Sequence, residues 1–136
     1  SRDDVDALWL ANQYAQILGQ YFTHEMKPLE IEMIVAEIGE ESVSDQLFHL
    51  LYDGTVMDTR GFVVIGGEAD AIRGRMEEEW RQEMALSEAV SASVSALAGP
   101  DRTLVPDDLE VAVLSRKNGR RAFGRLEGGD LAGLLD

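Results

Sequence analysis

The sequence predicts an α+β fold, with antiparallel sheets flanked by helices. Three observations carry this. Helical and strand periodicities follow the order helix, four strands, two helices, two strands, helix. The predicted strands are joined by connections too short for βαβ crossovers, which favours antiparallel pairing. Two turn signals, Asp53-Gly54 and Asn118-Gly119, sit between strand-like runs, where residues that tolerate positive φ are needed.

Each element has its own signature. Residues 3–27 read as an amphipathic helix with Val5, Leu8, Trp9, Ala11, Ala15, Leu18 and Phe22 at helical spacing. Asp3 or Asp4 can cap its start and Pro28 stops it. Tyr14, Ile17 and Tyr21 widen its apolar band, so contacts on more than one side are expected. Residues 29–38 alternate as a strand from Leu29 to Ile38. Further strands are expected at 46–52, 55–58 and 61–65. Gly66-Gly67 leads into a helix with Ile72, Met76, Trp80 and Met84 four residues apart. Ser87 can cap the next helix, whose buried stripe is Leu86, Val90, Val94 and Leu97. Ala89, Ala92 and Ala96 keep that helix slim, and Gly99-Pro100 ends it. A strand with Leu109, Val111 and Val113, a hairpin turn, a return strand over 120–126 and a short helix over 130–135 complete the chain.

Composition narrows the function classes. The chain has 136 residues, fitting one domain with a real core. Its formal net charge of −14 repels nucleic acid and anionic membranes. No apolar run approaches the roughly 20 residues of a membrane span. Cysteine is absent and Arg2 is followed by Asp3, Asp4 and Asp6, unlike a signal peptide, so a cytoplasmic location is expected. The basic cluster Arg116, Lys117, Arg120 and Arg121 flanks a turn and reads as a solvated hairpin tip.

Tests for chemistry lead to no catalytic residue, no metal and no cofactor. The two histidines, His24 and His49, lie on different elements and lack the partners of a zinc site. His24 suits a helix C-terminus and His49 a satisfied position in a strand. Gly66-Gly67-Glu68 lacks the lysine of a phosphate loop, and Glu68 and Asp70 would repel phosphate, so it reads as a strand-to-helix turn capped by acids. No serine occupies a nucleophile elbow. Ser91 and Ser95 lie one turn apart on a helix face, and the pairs Glu40-Glu41 and Asp107-Asp108 lie in polar loops.

Several separated segments resemble one family. Ala11-Asn12-Gln13-Tyr14-Ala15-Gln16, Leu18-Gly19 and Lys27-Pro28 look like the second long helix of proteasome α subunits. Glu32 to Glu37, Tyr52-Asp53-Gly54 and Phe62 to Gly67 resemble the strands and turns that follow. Leu109 to Leu114, Arg120-Arg121-Ala122-Phe123 and the final Leu-rich helix are similar to the end of the actinobacterial α subunit. The order is right over nearly the whole chain, and the ordered set is specific where no single motif is.

This resemblance implies a partial four-layer αββα sandwich of the N-terminal-nucleophile hydrolase type. It implies a noncatalytic α-type subunit of the 20S proteasome, forming heptameric rings with other α subunits on a ring of catalytic β subunits. A ring ATPase activator would deliver substrates to it. The first helix would lie toward the β ring and the central helix pair toward the outside. The family's N-terminal region is missing, so the chain is expected to be its C-terminal part, with apolar faces open unless another chain covers them. Tyr14, Ile17 and Tyr21 are the candidate interface residues.

Two other readings compete. A catalytic β-type relative would use an N-terminal Thr as nucleophile. Ser1 precedes a helix rather than the first strand, and Asp101 is not followed by the Ser-Gly of that type. A freestanding acidic module would dimerise through the first helix and exposed sheet.

Overall fold

The computed structural model describes residues 6–24, 31–118 and 122–135, with the backbone alone for 21–24 and 118. It divides into two compact units, 1–66 and 67–136.

The first unit is one helix on a three-stranded sheet. Helix α1 (Ala7–His24) starts at Asp6, whose carboxylate accepts from the Trp9 N–H at 2.8 Å and whose carbonyl accepts from the Leu10 N–H at 3.0 Å. This is N-cap geometry. The caps read at Asp3 and Asp4, the apolar Val5, the stop at Pro28 and the strand start at Leu29 lie outside the described residues.

Helix α1 buries Ala7, Ala11, Ala15 and Leu18 against Phe48 and Leu50, with Met33, Val35 and Val56 around them. Three alanines on this stripe let the helix lie close to the strands. Leu8 and Trp9, expected on the same stripe, are 45% and 48% exposed. At 3.6 residues per turn, Trp9 falls roughly 160° around the axis from the alanines, and Leu8 at the margin. The side chain of Phe22 lies outside what is described.

Strands β1 (Met33–Glu37), β2 (Gln46–Leu50) and β3 (Val56–Thr59) are antiparallel in chain order. Met33, Leu50 and Val56 share one register row. Val35 and Phe48 pair on the next core-facing row. Ile34, His49 and Met57 form a row of the opposite face, because side chains alternate along a strand.

The turn between β2 and β3 is where the helix comes nearest. Gly54 has φ +90, and its N–H bonds the Leu51 carbonyl at 3.0 Å. A Cβ there would lie 2.8 Å from the Ala15 carbonyl oxygen and 3.0 Å from the Gly19 Cα. Both the positive φ and the close backbone approach require glycine. The Asp53 carboxylate accepts from the Thr55 N–H at 2.9 Å. Hydrogen bonds from the Thr55 hydroxyl and then its N–H hold the Asp53 carboxyl below its usual value.

The expected strand at 61–65 is not among the strands of the described residues. The chain bends at Arg60 and Gly61, where φ is +97, and the ladder ends at Thr59. Residues 62–65 are half-buried, so their apolar run reports burial rather than pairing in this sheet.

The second unit combines three helices and a hairpin. Glu68 precedes α2 (Ala69–Glu79) with no side-chain cap hydrogen bond, unlike the acid-capped turn expected there, and Asp70 pairs with Arg73 at 2.7 Å. The stripe expected to continue to Trp80 and Met84 stops at buried Met76. Trp80 is extended at ψ 137, and Glu83 takes φ +65. Three consecutive glutamates at the negative end of the helix dipole oppose its extension.

Helix α3 (Leu86–Ala98) is entered through Ala85, not Ser87. The Glu88 carboxylate reaches back to the Ala85 N–H at 3.3 Å and contacts Arg81. Its buried residues are Val90, Ala92 and Ala96, while Leu86 and Leu97, expected in the stripe, are exposed. Small residues therefore make the close contact. Gly99 ends the helix at φ +72. Arg75 Nε donates to the Ala96 carbonyl at 2.8 Å, and Arg102 Nη2 donates to the Leu97 carbonyl at 3.0 Å. Two guanidinium groups from outside the helix thus satisfy its last carbonyls.

Strands β4 (Val111–Leu114) and β5 (Phe123–Leu126) form the expected hairpin, with Leu114 opposite Phe123. The register is symmetric about Asn118-Gly119, but Arg116–Asn118 forms a 3-10 turn, so the connection is longer than a two-residue loop. Gly119, Arg120 and Arg121 lie outside the described residues. Helix α4 (Gly128–Leu135) begins two residues before Asp130, packs on α3, and buries Leu131 almost completely. Among the described residues no helix is long and apolar enough to cross a membrane.

Candidate functional site

Helix α1 carries the strongest functional signal. From Ala7 to Thr23 it has no charged residue, in a chain that is 28% charged. One side packs on the sheet. The adjoining stripe holds half-buried Leu10, with Tyr14 at 38% and Ile17 at 48% exposure. The backbone of Tyr21 continues that spacing, and its side chain lies outside what is described. Asn12, Gln16 and Gln20 are exposed and supply amides in place of charges. Interface cores are depleted in charged residues and enriched in aromatic ones. A freely solvated helix face ordinarily carries charges. Composition and exposure thus set this face apart from a face that carries charges.

The sheet face opposite α1 is also partly open. Ile34 and Met57 are 41% and 47% exposed, on either side of His49. His49 Nε2 lies 2.5 Å from Glu32 Oε2, so the histidine expected to be satisfied in a strand has a carboxylate partner. His24 ends α1, and its side chain lies outside what is described.

In the second unit, the hairpin exposes Leu114 and its cross-strand partner Phe123, the latter at 60%. An open cleft of about 450 Å³ runs between α3 and β4, walled by Val90, Val94, Leu97, Val111 and Val113. A second cleft of about 520 Å³ lies beside the start of α4, with Asp107, Glu110, Arg125 and Glu127 among its lining residues. Neither brings together a nucleophile and a base.

The residues weighed for chemistry stay apart. Ser87, Ser91, Ser95 and Asp101 are exposed. Ser93 Oγ donates to its own helix at the Ala89 carbonyl, 2.7 Å away. Among the described residues no polar or charged side chain is fully buried, and no group of three or more His, Asp or Glu could hold a metal ion. Ser1 lies outside the described residues.

Tyr14 and Ile17, read from the sequence as widening the apolar band of the helix, are exposed. Sequence reasoning did not use the missing charges of α1, although they are plain in the sequence. It also missed the Glu32–His49 pair and the capping role of Arg75, which depend on contacts between separate elements.

Comparison with known proteins gives the family. Residues 2–114 match the family model described as proteasome subunit. A proteasome subunit alpha of Kineococcus radiotolerans is 49% identical, over 98% of this chain and 60% of its own. The proteasome subunit alpha of Streptosporangium roseum is 48% identical, over 99% of this chain and 52% of its own. That of Acidimicrobium ferrooxidans is 50% identical, over 93% and 55%. The chain thus spans between half and two thirds of the length of these relatives.

Proposed function

We propose, from the premise that this chain belongs to the proteasome subunit family, that it is part of a noncatalytic α-type subunit of the 20S core. In this reading it helps build the heptameric outer ring, supports assembly of the β ring and controls entry of substrates for degradation. Its partners are other α subunits, β subunits and a ring ATPase activator, in the cytoplasm. Tyr14, Ile17 and Tyr21 belong to a contact surface.

The observation that carries the proposal is the similarity, across nearly the whole chain, to proteins named proteasome subunit alpha. The charge-free outward face of α1 supports it physically, since such a face is stable when another polypeptide covers it. The absence of Ser-Gly after Asp101 speaks against a β-type enzyme.

Light scattering gives the native mass, with peptidase activity assayed on the same sample. The expected result is a heptamer, or a multiple of one, without peptidase activity. Peptidase activity that follows the particle and disappears on blocking Ser1 would contradict the noncatalytic reading. A small closed dimer would contradict ring formation by this chain.

A further inference from the structure

We draw no further inference here: the strongest candidate, the uncharged outward face of α1 around Leu10, Tyr14 and Ile17, belongs to the contact surface already described, and nothing in the structure shows what covers it.

Discussion

Helices α1 and α2 both present broad outward faces, yet their compositions are opposite. Six of the eleven residues of α2 are charged: Asp70, Arg73, Arg75, Glu77, Glu78 and Glu79. Only Met76 is buried there. Helix α1 has no charge before its final residue and leaves Tyr14 and Ile17 exposed. Water suits α2. Helix α1 places apolar carbon and neutral amides where ions would be better solvated. The difference separates a helix whose outward face suits solvent from one for which a covering neighbour is proposed. Exposure alone would have grouped them together.

The largest expected effect falls on the inner side of α1. Gly54→Ala adds a Cβ 2.8 Å from the Ala15 carbonyl oxygen, at a φ of +90. Backbone strain and the forced shift of the helix should together cost about 2–4 kcal/mol. Urea unfolding of the chain measures this. A loss below ~0.5 kcal/mol would mean that the helix does not sit on the β2–β3 turn as described.

In the second unit the strongest test concerns helix ends. Arg75→Ala removes the donor to the Ala96 carbonyl. The α3 terminus should lose about 1 kcal/mol, with faster amide exchange in its last turn. An unchanged exchange rate there would assign the capping to Arg102 alone.

The paired outward substitutions sharpen the comparison itself. Ile17→Glu and Glu78→Ala should each change the stability of the isolated chain by no more than ~0.5 kcal/mol, because both sites are exposed. Their effects on assembly should diverge: Ile17→Glu should abolish the particle measured by light scattering, and Glu78→Ala should leave it intact. Equal behaviour of the two variants would remove the distinction drawn between the helices.

The smallest effect is a pH dependence at Asp53. Its carboxyl is held below the ordinary value of 3.8 by Thr55. The stabilisation is therefore present above that value and lost as pH falls through the lower, folded one. The gap in urea midpoint between the wild-type chain and Asp53→Asn should accordingly narrow in acid. A gap that widened on acidification would refute this account of the turn.

The fold class was legible because periodicity and turn residues agree. Strand-like runs located the five strands of the described residues, and Asp53-Gly54 and Asn118-Gly119 fall between β2 and β3 and between β4 and β5. Antiparallel sheets flanked by helices follow from those signals, as the proteasome family match requires. Other features were hidden because they depend on partners distant in sequence. Periodicity alone cannot distinguish Ala7 from Leu8 as the inward residue. The sheet decides by accepting a close, small-residue helix face. The run at 62–65 looks like a strand because it is apolar and β-branched, whereas a strand also requires a ladder. At the candidate surface, Tyr14 and Ile17 were readable from helix geometry, while Glu32–His49 needed the β1–β2 register.

The central claim is that the outward face of α1 is covered in the working assembly. Hydroxyl-radical footprinting of Tyr14 tests it most directly, comparing the particle assembled in cells with the separated chain. The account predicts strong labelling of Tyr14 in the separated chain and protection in the particle. Equal labelling in both states would contradict it.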